Sequence, residues 1–197
     1  SVDAIGAWPW DRKVFVDLIG RALTAKPAVV ALDFAFEQSR GTDGDEALAD
    51  LVSRNRQTLV FASIYKGKAS QDLYPALRRA LPQLGYVNVM QPDNTQSSIA
   101  ISCQPPGAGA SFAEAIAATY SKSQVGAQFP NLLSIPKSAH PHYREFGDCA
   151  WPINFASDRR KFKTVSAVDF LNNPSLAASM PKGSIVIIGP FAVSMDD

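Results

Sequence analysis

Apolar positions in the first third of the chain follow two different periods. Over Trp10–Lys26 they recur every three or four residues, which predicts an amphipathic helix that ends before Pro27. Arg12 is assigned to the polar face of this helix, with most of the other charged residues. A continuous apolar run follows at Ala28–Leu32, and such runs are typical of strands buried on both faces of a parallel sheet.

The same alternation of helices and strands continues along the chain. The other predicted helices are Glu46–Arg54, Asp72–Leu81, Ser111–Tyr120 and a short one from Val168 to Leu171 that is broken at Asn172–Pro174. The other predicted strands are Thr58–Ile64, Tyr86–Val89, Ile99–Ile101, Ile153–Phe155, Phe162–Val165 and Ser184–Ile188. We therefore expect an α/β fold with a mostly parallel central sheet and flanking helices. Ser111 and Glu114 have the spacing of a capping box, and a long irregular excursion is expected over about residues 121–149.

Composition narrows the class of protein. With 197 residues, 46% hydrophobic and 19% charged, the chain suits a single globular domain over residues 1–197. The net charge of +1 argues against a nucleic-acid partner, because such proteins usually carry a basic excess. The sequence contains no apolar run long enough to span a membrane.

Two carboxylates come directly after the first predicted strand. Asp33 follows Leu32, and Glu37 lies four residues on. Ligands of open parallel sheets bind beyond the carboxyl ends of the strands, so this pair could contact a cation or a polar ligand. In the simpler interpretation, Asp33 hydrogen-bonds nearby backbone amides and holds the loop. A third alternative is an enzyme, a small hydrolase or transferase, in which Asp33 and Glu37 act as acid and base.

The segment Trp8-Pro9-Trp10 is the most unusual stretch of the chain. It forms either a structural corner at the start of the first helix or an aromatic wall of a ligand site. Arg12 follows it and could pair with a carboxylate near the strand ends, Asp33 or Glu37. Our hypothesis is a ligand pocket formed by the residues named here and the aromatic residue after the second strand: Trp8, Trp10, Arg12, Asp33, Glu37 and Tyr65.

The remaining chemical groups predict neither a metal nor a cofactor. Asp43–Glu46 lacks the ligand spacing of a calcium loop, and Asp45 is better explained as a helix N-cap. The two histidines, His140 and His142, have no metal-ligand motif around them. Cys103 and Cys149 form one disulfide bridge in an oxidising compartment or remain two independent thiols, and both alternatives stay open.

Four blocks of the chain together resemble a known family. They are Ala4–Arg12 with its Trp-Pro-Trp stretch, Ala28–Phe36, the pair Ile153–Phe155 and Phe162–Ser166, and Lys182–Gly189 followed by Asp196 and Asp197. In this order they resemble the second type of CHASE domain, the cyclases/histidine kinases associated sensory extracellular domains. Pro92–Ser98 departs from the family, because it lacks the Gly and Arg that the family often has there, so no ligand role is carried over to it.

The resemblance implies an extracytoplasmic sensor. Such domains are input modules of bacterial membrane receptors with a cyclase, histidine kinase or Ser/Thr kinase as output, so we expect a periplasmic or cell-surface location. The stimulus would be a small molecule or a mechanical signal. The family has a further strand before the segment that matches Ser1, and it continues past Asp197 with a Thr-Pro segment and a helix. We therefore expect a domain trimmed at both ends. A final alternative is a ligandless module that forms homodimers through an open sheet edge.

Overall fold

The computed structural model describes residues 9–41, 43–64, 73–80, 82–87, 89–90, 99–101, 110–123, 150–152 and 162–190. Its helices are α1 (Arg12–Thr24), α2 (Asp43–Asn55), α3 (Pro75–Arg79), α4 (Phe112–Ser123), α5 (Ala167–Asn172) and α6 (Pro174–Ala178). Its strands are β1 (Val29–Leu32), β2 (Leu59–Ser63), β3 (Gln83–Tyr86), β4 (Val89–Met90), β5 (Ile99–Ile101), β6 (Ala150–Pro152) and β7 (Ile185–Ile188). Within these residues no helix is long and apolar enough to cross a membrane.

The central sheet contains four parallel strands in the order β3-β2-β1-β7. Every residue of β1 and β2 is buried, as their continuous apolar runs predict. Helices cover the sheet on both faces, so the prediction of an α/β fold with a mostly parallel sheet is confirmed.

Helix α1 begins with a side-chain cap and ends at a proline. The Asp11 carboxylate accepts a hydrogen bond from the Lys13 N–H at 2.8 Å, which satisfies a backbone donor that the first turn leaves free. At the other end Lys26 has a φ of 54°, and Pro27 cannot continue the helix. The buried face of α1 consists of Arg12, Phe15, Leu18, Ile19 and Ala22. The assignment of Arg12 to the polar face is therefore wrong.

Two apolar clusters hold the helices on the sheet. The larger one joins α1, α2 and α3 to one face, and its fully buried members include Ile19, Leu32, Leu48, Phe61 and Leu77. Burying each such side chain contributes about 1.5–3 kcal/mol, so this cluster is the main source of stability. The smaller cluster lies on the opposite face, where α4 packs over β3, β2 and the near side of β1.

Helix α4 starts with the predicted capping box. The Glu114 carboxylate accepts hydrogen bonds from the N–H and the hydroxyl of Ser111, both at 2.8 Å, and the Ser111 hydroxyl accepts one from the Glu114 N–H at 3.3 Å. The start of the helix also covers the outer edge of β3, because the Tyr86 N–H donates to the Ala110 carbonyl at 3.1 Å. The helix runs to Ser123, three residues beyond the predicted end.

A second, antiparallel sheet has the order β4-β5-β6 and accounts for one wrong prediction. The predicted strand Tyr86–Val89 is two strands, since β3 ends at Tyr86 in the parallel sheet and β4 begins at Val89 in the antiparallel one. Apolar residues on both sides of the change conceal it in the sequence. Phe162–Val165 is also not a strand, because these residues are exposed and pair with none of the strands in the described part of the chain. Ile153–Phe155 and most of the excursion over residues 121–149 lie outside the described residues.

The chain reaches the last strand through two short helices. The predicted break is confirmed, because Asn173 ends α5 and its side chain caps α6 by accepting from the Ser175 N–H at 3.1 Å. Strand β7 then takes an edge position beside β1. Of the other helix predictions, α2 begins one turn before Glu46, and α3 is shorter than Asp72–Leu81.

Candidate ligand-binding site

The carboxyl ends of β1 and β7 form a point where the sheet topology reverses. After β1 the chain builds β2 and β3 on one side of it, and β7 returns to the other side. Asp33 lies at this point, and its N–H donates a hydrogen bond to the Ile188 carbonyl at 2.8 Å. In open α/β sheets ligands bind in the crevice outside such a reversal. The fold therefore places a carboxylate where this architecture binds its ligands.

The Asp33 carboxylate has space around it because its neighbour has no side chain. A methyl group added at Gly189 would lie 3.0 Å from Asp33 Cβ and 3.6 Å from Oδ2. Burial raises the pKa of Asp33 above its usual value, and no positive charge of the described residues offsets the loss of water. A half-buried carboxylate without a compensating charge costs folding free energy, so its presence here suggests a function other than stability.

Arg12 is buried, and its contacts lie on α2 and on the loop after β1. Its Nε lies 3.4 Å from an Asp45 oxygen, and one terminal nitrogen donates to the Gln38 carbonyl at 2.9 Å. The guanidinium carbon lies 4.7 Å from the ring centre of Phe36 and 5.4 Å from that of Tyr74. The predicted pairing of Arg12 with Asp33 or Glu37 is therefore wrong, since its partner is Asp45.

Asp45 binds the loop that follows β1. Its carboxylate accepts hydrogen bonds from the Ser39 hydroxyl at 2.7 Å and from the N–H groups of Arg40 and Gly41 at 2.6 and 3.1 Å. Burial alone would raise the pKa of Asp45, but these hydrogen bonds and the charge of Arg12 outweigh it and lower the pKa below its usual value. Asp45 is not the N-cap that the sequence predicts, because α2 already begins at Asp43.

Arg12 and Asp45 together form what we call the loop clamp, with Phe36, Gln38 and Ser39 as its contacts. The clamp joins the first turns of α1 and α2 to the loop between Asp33 and Gly41. Gly44 permits this close approach, because a methyl group there would lie 3.0 Å from Arg12 Cβ. Sequence reasoning missed the clamp, although one signal was present: Arg12 stands three and seven residues before Phe15 and Ile19, on the buried face.

The other predicted site residues have different surroundings. Trp10 is half-buried and packs on the larger core cluster, with its ring centre 6.1 Å from that of Phe15, which matches a structural corner. Glu37 is exposed on the loop. An open depression of about 570 Å³ lies beside the clamp and is lined by Pro9, Asp11, Gln38 and Arg40. Trp8, Tyr65, Cys103, Cys149, His140 and His142 lie outside the described residues.

The described residues contain no group of three or more metal-ligating side chains. The site therefore consists of one desolvated carboxylate at the sheet reversal, beside a loop that the clamp holds.

Comparison with known families gives one match, and it covers the whole chain. The family model of the CHASE2 domain matches residues 1–197. Searches of curated proteins and of solved structures found no significant match. CHASE2 domains are sensory and not themselves catalytic, which is compatible with the expectation that this chain is not an enzyme. The chain therefore belongs to the CHASE2 family, the extracellular sensory domains of signalling receptors.

Proposed function

We propose that this chain is the ligand-binding input domain of a bacterial transmembrane receptor whose output is a cytoplasmic cyclase, histidine kinase or Ser/Thr kinase. Family membership supports the sensory role. The main observation that supports a binding site is the position of Asp33 at the reversal between β1 and β7. The ligand is a small molecule with a positive charge or hydrogen-bond donors, because an uncompensated carboxylate gains most from such a group.

The loop clamp connects this site to the first turn of α1. Asp33 begins the loop, and Arg12 in the first turn of α1 binds the same loop at the Gln38 carbonyl. A ligand that moves the loop would therefore also move the beginning of α1. Such a ligand signals only if it binds one of two arrangements of the loop more tightly, since equal affinity shifts no equilibrium.

Replacing Asp33 with asparagine should stabilise the domain at pH 7 and abolish the response to ligand. The pKa of Asp33 is raised on folding, so the ionised group costs stability once the pH exceeds that pKa. The neutral amide removes this cost, and the gain should disappear as the pH falls through the pKa of Asp33. Thermal unfolding measured from pH 3 to pH 8 tests the first part.

A screen tests the second part with defined probes: small amines, amino acids, polyols, Ca²⁺ and Mg²⁺. A compound that binds Asp33 should raise the melting temperature of the wild-type chain and leave that of Asp33→Asn unchanged. Asp17→Asn is the matched control, because Asp17 is exposed on α1 and should preserve the shift. A receptor that signals normally with Asp33→Ala and an intact fold would overturn the proposed site.

The gene sequence on either side of this domain tests whether the domain belongs to a membrane receptor. We expect one apolar segment encoded upstream of this domain and several downstream, followed by a kinase or cyclase. A gene without any membrane segment would contradict the receptor proposal.

A further inference from the structure

A row of basic residues lies at the amino end of the parallel sheet. The connections that lead into β1, β2 and β7 contain Lys26, Arg56 and Lys182, and all three side chains are exposed. Because β1 lies between β2 and β7, and neighbouring strands are about 5 Å apart, these cations occupy neighbouring positions. The first and last of these connections are in direct contact, since the Gly183 N–H donates a hydrogen bond to the Lys26 carbonyl at 3.0 Å.

Helix α4 adds a fourth cation at the same end. The side-chain amide of Gln83, at the start of β3, donates to the Arg56 carbonyl at 2.7 Å, and its oxygen accepts from the Thr119 hydroxyl at 3.1 Å. These contacts bring the end of α4 to the connection before β2, and the exposed Lys122 lies three residues after Thr119. We call the following four residues the basic end: Lys26, Arg56, Lys122 and Lys182.

The charge of the basic end is not paired within the described part of the chain. None of its four members forms an ion pair there, whereas the exposed cations Arg54 and Arg79 pair with acids at 3.4 and 3.3 Å. The connections into all four strands of the parallel sheet contain no Asp or Glu. A helix dipole favours a cation in the last turn, which applies to Lys122, but the other three members lie outside helices. Like charges at neighbouring positions repel, so this arrangement indicates an anionic partner and not a gain in stability.

The opposite end of the domain is mainly acidic, even without the carboxylates of the ligand site and the clamp. Several acids lie at helix starts or on the loop after β1: Asp11, Glu37, Asp43, Glu46 and Glu114. Lys13 and Arg40 are exposed at the same end, but the acids outnumber them. A chain with a net charge of +1 thus has two oppositely charged ends. Near an anionic surface, such a molecule turns its basic end towards the surface.

We propose that the basic end binds the phosphate groups of an anionic lipid bilayer, so that the parallel strands point away from the membrane and the candidate ligand site faces the solvent. The choice of a membrane as the anionic partner rests on the proposed receptor function, in which this domain is anchored beside a bilayer. Phosphodiester oxygens accept hydrogen bonds from lysine and arginine, and each cation near the surface strengthens binding about fivefold. Because the net charge is only +1, the attraction depends on the distribution of charge and should be weak for the isolated domain.

Co-sedimentation of the 197-residue chain with lipid vesicles tests the proposal. We expect binding to vesicles of equal parts phosphatidylglycerol and phosphatidylcholine at about 50 mM salt, and its loss at about 0.5 M salt, because salt screens exposed charges. Vesicles of phosphatidylcholine alone should not bind. The proposal is overturned if the anionic vesicles do not bind at low salt, or if both kinds bind equally. Anionic vesicles that bind no better than soluble poly-glutamate at the same concentration of charge would indicate an acidic protein partner and also overturn it.

Reversing one charge at each end of the domain tests which end binds. Lys182→Glu should weaken binding to the anionic vesicles about twentyfold, since it removes one positive charge from the basic end and adds a negative one. Lys13→Glu is the matched control: it makes the same change of net charge in the first turn of α1, at the opposite end, and should alter binding by less than about twofold. Equal weakening in the two variants would show that only the net charge matters, contrary to the proposal.

Hydrogen exchange and the ligand response separate this inference from the proposed function. With anionic vesicles present, amide exchange should slow in the connections at Lys26, Arg56 and Lys182 and remain unchanged in the loop Asp33–Gly41. Slower exchange in that loop instead would overturn the proposed orientation. Lys182→Glu should retain the shift in melting temperature that a ligand of Asp33 produces. A gene with membrane segments, together with a chain that does not bind the vesicles, would refute the basic end as a binding surface and leave the receptor proposal intact.

Discussion

Replacing Asp45 with asparagine should lower the free energy of unfolding by about 3–5 kcal/mol. Asp45 and Arg12 are 4% and 6% exposed, so the variant leaves the Arg12 guanidinium buried without a compensating charge. The hydrogen bonds from Ser39, Arg40 and Gly41 all go to Oδ2, and they become weaker because the amide oxygen carries no negative charge. With the amide oxygen in that position, the amide NH2 faces the Arg12 Nε and cannot accept its hydrogen bond. Urea unfolding of the wild-type and variant chains measures the difference.

Asp50→Asn is the control for this variant. Asp50 pairs with Arg54 at 3.4 Å, the same N–O distance as in the clamp, but both side chains are at least 70% exposed. Exposed pairs four residues apart contribute about 0.3–0.5 kcal/mol, so this substitution should have little effect. Equal losses in the two variants would show that the clamp does not act as a buried pair.

The loss caused by Asp45→Asn should depend on pH. Folding lowers the pKa of Asp45, so the ionised carboxylate contributes stability above its unfolded pKa of about 3.9. That contribution disappears as the pH falls through the folded pKa. The wild-type and variant stabilities should therefore converge in acid, whereas a difference independent of pH would point to packing alone.

Gly85→Ala should lower the free energy of unfolding by about 3 kcal/mol, at the upper end of the range for overpacked cores. The added methyl group would lie 2.8 Å from the Phe112 nitrogen and 2.8 Å from the Ser111 carbonyl oxygen. These are backbone atoms of the first turn of α4, so they cannot rotate away as a side chain would. Helix α4 would have to shift from β3, which would open the smaller apolar cluster.

Gly20→Ala is the matched control and should act in the opposite direction. Gly20 lies inside α1, and a methyl group there would meet nothing within 4 Å. Alanine in a helix interior is about 0.5–1 kcal/mol better than glycine, so this variant should be the more stable. Thermal unfolding of both variants compares a glycine needed for close packing, Gly85, with one that only lies in a helix, Gly20. A Gly85→Ala chain as stable as the wild type would contradict the packing of α4 on β3.

The clamp binds the same loop that begins at Asp33 of the proposed ligand site. Asp45→Asn should release the segment near Gln38 and Ser39, while Asp33 keeps its hydrogen bond to the Ile188 carbonyl. If α1 carries the signal, a clamp variant that still folds should bind ligand and respond poorly. Asp33→Asn should instead lose binding itself.

Local patterns in the sequence determined the main elements of the fold. The period of α1, the continuous apolar runs of β1 and β2 and the capping box at Ser111 all depend on residues close together in the chain. The position of Asp33 after a buried strand follows from the same information. These features could be predicted because neighbours along the chain decide them.

Only the tertiary structure decided which distant groups meet. Arg12 and Asp45 are 33 positions apart, and the chain passes from β3 to β4, in a different sheet, with only Val87 and Asn88 between them. The place of β7 beside β1 likewise joins segments far apart in the chain. Which of these distant residues meet depends on how whole helices and strands pack and on which charges become buried. Neither can be predicted from the spacing of residues along the chain.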